Sequence, residues 1–288
     1  MFLKRISNSF RQFSTNKLKP ANFTPQRAAE YLSTFEGGKV TIELYGKEFP
    51  GIATLTLDNP TKKNGLTGSM MADLHYSMDR LEKDEQNLRA LIIQGSNGTF
   101  CSGGDLDFVK KICDSDHGYI MCSLMSHTLT RLSRLPFISI SKIEGFALGG
   151  GAELASTCDI RVAHAKAKIG FVQGRIGVTP GWGGLPFIVR NFGYSRALEA
   201  LCTAKVFNSL ELQKLGFLQE IYETNADFEK YLSRYLSIEV EPIKAMKKGV
   251  IALQKRDLEA FEVERRVFAS LWGGELQKAL LSENRKHK

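Results

Sequence analysis

The chain has 288 residues, 43% of them hydrophobic and 24% charged, with a formal net charge of +8. That composition suits one large or two small soluble domains and excludes a disordered chain, a collagen or a dense disulfide scaffold; no apolar run approaches the roughly 18 residues a membrane span needs. The five cysteines (Cys101, Cys113, Cys122, Cys158, Cys202) have no C-x-x-C spacing, which speaks for a reducing compartment and against a zinc site.

The basicity sits at the two ends. Lys4, Arg5, Arg11, Lys17 and Lys19 lie in an acid-free first segment, and Arg285, Lys286 and Lys288 close the chain. Setting these eight aside from the 39 Lys and Arg leaves the body with 31, equal to its 31 Asp and Glu. Met1 to Thr15, MFLKRISNSFRQFST, is Ser-rich and basic, with Phe2, Ile6, Phe10 and Phe13 on one helical face. This is the composition of a mitochondrial transit peptide, and the expected location is the mitochondrial matrix; the alternative is a disordered basic tail on a cytosolic protein. Segment 1–20 is therefore set apart from the body.

Lys39 to Leu57 alternates apolar and polar residues about a turn at Tyr45-Gly46-Lys47, which predicts a two-stranded hairpin. Asp58-Asn59-Pro60 ends it. Helical spacing of Met70, Met71, Leu74, Met78 and Leu81 predicts a helix over 69–84. Arg89 to Gln94 reads as a short buried strand, and 119–135 as a helix stopped by Pro136. A strand over 137–143, a helix opening near Ala152 and a strand over 159–163 follow. From Ser195 the pattern is helical: 196–202, 209–215, 227–236, 242–253 and 258–272. Alternating strands and helices predict an α/β core, taken as 36–220, with a helical C-terminal region, 221–288.

Two glycine-rich turns each follow a predicted strand: Phe100-Cys101-Ser102-Gly103-Gly104-Asp105, and Gly145 to Glu153 with its triple glycine. Glycine lets a backbone N–H approach a ligand closely. Two such turns could each give one N–H to a single oxygen, forming an oxyanion hole, and the second would add a helix N-terminus. Alone, each is also consistent with a simple tight turn. Neither has the G-x-G-x-x-G pattern of a dinucleotide site.

In order, the chain carries N-P-x-x-x-N-x-L (Asn59 to Leu66), F-C-S-G-G-D, G-x-A-x-G-G-G-x-E-L, C-D-I-R, and GVTPGWGG (Gly177 to Gly184). This series resembles the crotonase, or enoyl-CoA hydratase/isomerase, superfamily. The resemblance implies a spiral of repeated ββα units, a helical C-terminal trimerisation region, a homotrimer or dimer of trimers, and an acyl-CoA thioester as ligand. It places the oxyanion hole on the N–H groups of Gly104 and Gly150. It places the CoA nucleotide along Thr61, Lys62, Lys63 and Gly65, where the lysines suit phosphates or, equally, form a solvated surface pair. No metal, biotin or nicotinamide cofactor is implied.

One position departs from the family's hydratases, which use two glutamates on the attacking water. The first falls on Glu153; the second falls on Gln173, and an amide is no general base. The oxyanion hole alone can still run a decarboxylation: loss of carbon dioxide from Cα leaves a thioester enolate, with Glu153 as the acid that protonates it. Phe171, Val172 or Trp182 would supply an apolar wall disfavouring the carboxylate. The features GFVQGRIG, TPGWGG and the late LWGG (Leu271 to Gly274) resemble the family's decarboxylating members, and that resemblance implies ethylmalonyl-CoA as substrate, methylmalonyl-CoA second, and removal of misformed branched malonyl thioesters as the role. The alternatives are an enoyl-CoA hydratase/isomerase, a protein that only binds acyl-CoA, and an RNA-binding relative using Lys244, Lys247, Lys248, Lys255 and Arg256, although nucleic acid sits poorly with a neutral body.

By default Trp182 and Trp272 read as packing aromatics, with pocket lining as the alternative, Cys101 as a buried filler, and Arg175 as either a carboxylate partner or a structural ion-pair member. The five histidines have no ligand spacing.

Overall fold

The computed structural model describes residues 24–44, 49–84, 87–252, 265–266, 268–269 and 271–282. The hairpin tip at 45–47, the leader at 1–20 and the basic tail lie outside the described residues. The strands are β1 (Lys39–Glu43), β2 (Ile52–Asp58), β3 (Ala90–Gly95), β4 (Ile138–Ile143), β5 (Phe146–Leu148), β6 (Ile160–His164), β7 (Lys168–Gly170), β8 (Val206–Asn208) and β9 (Glu220–Tyr222). The helices are α1 (Pro25–Ser33), α2 (Gly68–Lys83), α3 (Leu106–Lys111), α4 (Ser115–Arg134), α5 (Gly150–Thr157), α6 (Leu185–Phe192), α7 (Tyr194–Thr203), α8 (Ser209–Lys214), α9 (Asn225–Leu236), α10 (Val240–Ala252) and α11 (Glu275–Ser282).

A six-stranded sheet runs β1-β2-β3-β4-β6-β9, and a three-stranded sheet runs β5-β7-β8. The predicted hairpin is the antiparallel β1–β2 pair, Lys39 opposite Asp58. From β2 to β9 the large sheet is parallel. β3, ALIIQG, is buried along its first four residues, as a parallel strand covered on both faces must be. The chain then repeats one step: a strand in the large sheet, a short strand in the small one, then a helix. β4–β5–α5 is the clearest turn of this spiral.

Local chemistry sets the element ends. The Thr67 side chain caps α2 by accepting from Met70 N, and α4 stops ahead of Leu135-Pro136. Asn208 and Glu211 form a reciprocal capping box on α8. The core lies between the large sheet and the helices. Phe192 and Phe217 stack there with centroids 4.7 Å apart, and Phe171 meets both edge-on. Phe171 therefore belongs to the core and is not among the residues lining the cleft; the expectation of an apolar wall is met by Val172 and Trp182 instead.

The basic cluster weighed as an RNA face does not stand out in solvent as a set. Lys247, on α10, is buried, and its ammonium donates to Phe137 O at 2.6 Å and pairs with Asp159 at 2.7 Å. It anchors the helix to the start of β4, because a buried ammonium needs both a charge and acceptors around it. Lys255 and Arg256 lie outside the described residues.

Candidate active site

The two glycine turns meet because their strands are neighbours. β3 and β4 are parallel and adjacent, with Ile93 opposite Ser141, so both chains leave the sheet at the same edge. Ligand sites of parallel sheets form at that edge. Phe100 N donates to Glu144 O, Cys101 N to Phe146 O and Leu148 N to Cys101 O, at 2.8 to 3.0 Å, zipping the turns side by side. Cys101 is a buried filler in this seam, its thiol pushed up to about 12 by burial, so no thiolate is available for nucleophilic attack.

Gly103 has φ +104, and a Cβ there would lie 3.0 Å from Leu148 O and 3.4 Å from Gly150 N. Only glycine permits both the angle and the approach. Gly149 (φ 53) caps α5, so Gly150 is the first residue of the helix and its N–H has no intrahelical partner. The Gly104 N–H is likewise outside the bridge that ties Gly103 and Asp105 to Leu66. The side chain of Asp105 accepts from Phe108 N at 2.9 Å and caps α3. Among the described residues neither N–H is engaged, so Gly104 and Gly150 hold free donors at one mouth. The Trp182 ring lies against both: a Cβ on Gly104 would be 3.9 Å from it, and one on Gly150 would run into it.

Both glycines, Glu153, Gln173, Val172 and Trp182 line one cleft. Trp272 and Phe268 line it as well. Trp182 and Trp272 are buried as packing residues and also form part of the wall. Trp272 Nε1 donates to Ile112 O at 2.5 Å, and its ring stands 4.8 Å from Phe268, so the C-terminal segment closes the far side. Arg175 is excluded as a carboxylate partner in the cleft; its guanidinium donates to Ala204 O at 2.7 Å, and the residue is not among those lining the site.

Glu153 is the one ionisable side chain among the described residues that line the cleft. Its Oε1 accepts from Trp182 N at 3.0 Å and Gly184 N at 3.2 Å, and its Oε2 accepts from Gln173 Nε2 at 3.1 Å. Burial pushes its carboxyl up to about 7, although those hydrogen bonds pull the other way. Such a group exchanges a proton near neutrality.

The loop expected to hold the CoA nucleotide borders the cleft. Ser102, on the cleft wall, donates from Oγ to Lys62 O and from N to Lys63 O, both at 3.0 Å. Thr61, Lys62 and Lys63 are exposed and Gly65 is buried. Lys62 pairs with Asp107 at 2.7 Å, and Lys63 lies 4.9 Å over the Phe146 ring. The two asparagines of the N-P-x-x-x-N motif hold this loop in place: Asn59 Nδ2 donates to Gly65 O at 2.9 Å, and Asn64 Nδ2 to Ser96 O and Thr99 O. Among the described residues no group of three His, Cys, Asp or Glu could hold a metal.

Parallel strands that deliver two glycine N–H donors and a buried carboxylate to one cleft define the crotonase fold and its site. The Enoyl-CoA hydratase/isomerase family model matches residues 47–287, and the chain belongs to this family. Solved structures agree in fold: an enoyl-CoA hydratase from Bacillus halodurans (TM-score 0.74, 26% identity, 85% of this chain and 99% of that one) and an enoyl-CoA hydratase/isomerase from Mycobacterium paratuberculosis (TM-score 0.77, 18% identity, 85% and 98%).

More particularly, the chain is similar to proteins named ethylmalonyl-CoA decarboxylase. It is 40% identical to that of Gallus gallus (88% of this chain, 87% of that protein) and 36% identical to that of Xenopus tropicalis (92% and 90%). The human protein of that name is 34% identical (88% and 83%).

Proposed function

We propose that this protein decarboxylates ethylmalonyl-CoA, with methylmalonyl-CoA as a second substrate. The observation that carries the reading is Gln173: a cleft built for a thioester oxygen holds one carboxylate where the paired-glutamate chemistry needs two. The names of the relatives support the same choice.

In this reading the thioester oxygen takes hydrogen bonds from Gly104 N and Gly150 N. The bond from Cα to the carboxylate breaks, carbon dioxide leaves, and the electron pair enters the enolate whose oxygen those donors hold. Glu153 gives its proton to Cα, leaving butyryl-CoA, and regains a proton from solvent. Val172 and Trp182 supply an apolar wall that favours neutral carbon dioxide over the bound carboxylate. Lys62 and Lys63 stand at the mouth for the nucleotide phosphates.

The wider role is removal of branched malonyl thioesters formed by unselective carboxylation. The acid-free, Ser-rich Met1 to Thr15 supports the mitochondrial matrix as its place. The exposed Met246 and Val250 on α10 support assembly into a trimer or a dimer of trimers, read by light scattering.

The deciding experiment follows ethylmalonyl-CoA and crotonyl-CoA by mass with purified protein. Butyryl-CoA from the first is expected; 3-hydroxybutyryl-CoA from the second, without the first, would overturn the reading.

A further inference from the structure

We infer that the Thr179 hydroxyl and the Gln173 carboxamide together form the subsite for the carboxylate that the substrate carries on Cα. The inference rests on the decarboxylation reading. Among the described residues four buried side-chain polar atoms make no hydrogen bond, and two of them, Gln173 Oε1 and Thr179 Oγ1, belong to residues that line this one cleft. Gln173 is 8% exposed. A buried polar atom with no partner is costly, so two in one cleft point to a polar ligand group.

The two groups suit an anion. A threonine hydroxyl donates. The Gln173 amide, as it stands, gives Nε2 to Glu153 Oε2 and leaves Oε1 unpartnered. An ionised Glu153 imposes this orientation, since a carboxylate only accepts. With a proton on Glu153 the amide turns over: the Glu153 O–H donates to Gln173 Oε1, and Nε2 becomes the free donor for the cleft. A substrate carboxylate selects that state. It is therefore held best when Glu153 carries the proton that Cα will need.

The order of events follows. While the carboxylate is present it keeps Nε2 turned toward it, and the Glu153 proton stays engaged on Gln173. Once the Cα–carboxylate bond has broken and carbon dioxide has left, nothing retains the amide, and the proton is released to the enolate carbon. Glu153 ends as a carboxylate. Both donors are neutral, so they orient the breaking bond without the ion pair that would stabilise the starting carboxylate.

The test measures dissociation constants for two non-reacting probes, butyryl-CoA and 2-sulfobutyryl-CoA, the same thioester with a sulfonate in place of the carboxylate. Thr179→Val and Gln173→Leu are each expected to weaken the sulfonate about tenfold and to leave butyryl-CoA within about twofold, the pattern of one lost hydrogen bond to a charged group. Thr179→Val decides the matter if Gln173→Leu fails to fold, because Thr179 Oγ1 makes no hydrogen bond that the valine would break. Both probes weakening together, or neither moving, overturns the subsite. Wild-type protein is assayed alongside with ethylmalonyl-CoA: butyryl-CoA formation with unmoved probes sinks the subsite alone, and no butyryl-CoA sinks the decarboxylation reading.

Discussion

Gln173 Nε2 donates to Glu153 Oε2 at 3.1 Å, tying the one ionisable group among the described cleft residues to the residue that the family resemblance sets at a hydratase's second carboxylate. In the proposed mechanism the pair serves as a single acid rather than as an acid and a base. Replacing Glu153 by Gln keeps an acceptor for Trp182 N and Gly184 N and removes the proton. Turnover of ethylmalonyl-CoA is expected to fall about 10²- to 10³-fold in kcat with KM little changed, the usual worth of a placed general acid. Release of carbon dioxide and uptake of deuterium at Cα are the readouts; unchanged turnover would remove Glu153 from the chemistry.

The pH dependence follows from the same carboxyl. Burial holds Glu153 up at about 7, against an ordinary value of 4.5. In the proposed mechanism the acid form is the working form, so kcat/KM is expected to fall as pH rises through about 7 and to be flat in Glu153→Gln. Stability moves with it. Between 4.5 and about 7 the folded chain keeps a proton that the unfolded chain has lost, so stability declines as pH rises through that window. Urea unfolding followed across the window should show this slope in the wild type and lose it in Glu153→Gln.

Gln173→Glu restores a pair of carboxylates in one buried site. Two adjacent carboxyls cannot both ionise easily, and a second negative charge faces the substrate's own. Decarboxylation of ethylmalonyl-CoA is expected to drop at least tenfold, read as a rise in KM. Slow hydration of crotonyl-CoA should appear in its place. A variant that decarboxylates as well as the wild type would show that the missing charge is irrelevant.

Much of this fold was readable because long elements carry their own period. The apolar run Ala90 to Ile93 and the stripe Met70 to Leu81 are strong signals, and both stand close to where the pattern puts them. The three-residue strands β5, β7 and β8 were not readable, since three residues hold no period and these exist only by pairing with one another. The site divides in the same way. Gly104, Gly150, Glu153 and Gln173 sit in compact motifs and converge in the cleft. Nothing in GVTPGWGG marks Thr179 as unpartnered, because that depends on neighbours the sequence does not show. Phe268 and Trp272 come from the far end of the chain, and no spacing rule brings them into the same cleft as Gly104. Gly118 under Trp272 and Gly181 under Phe268 make room for these rings, since a side chain at either would collide with the aromatic ring, but a glycine in sequence does not name its partner.

Gly150→Ala tests the oxyanion hole. The added methyl would run into the Trp182 ring, so either the indole or the helix start must shift. A displaced N–H donor is expected to lower kcat roughly 10²- to 10³-fold. Circular dichroism and the urea midpoint separate this from unfolding. A variant that folds and turns over normally would place the hole elsewhere.

Lys247→Met tests the anchor between α10 and the sheet. The Lys247 side chain is 3% exposed and its ammonium bonds Phe137 O and Asp159, whereas an RNA-binding lysine must reach solvent. Methionine fills most of the volume but leaves the carbonyl without its donor and Asp159 without its cation. The Asp159 Oδ2 keeps Ser139 N and Oγ, both at 2.8 Å, and its side chain is 26% exposed, which lessens the damage. A loss of about 3 kcal/mol is expected, the low end for breaking a buried pair. It should appear as a lower urea midpoint. Any weak binding of the folded variant to RNA should match the wild type's at every salt concentration, because this charge never faces a phosphate. A variant of undiminished stability, with RNA affinity lost and its salt dependence reduced, would reverse the assignment and return α10 to a nucleic-acid role.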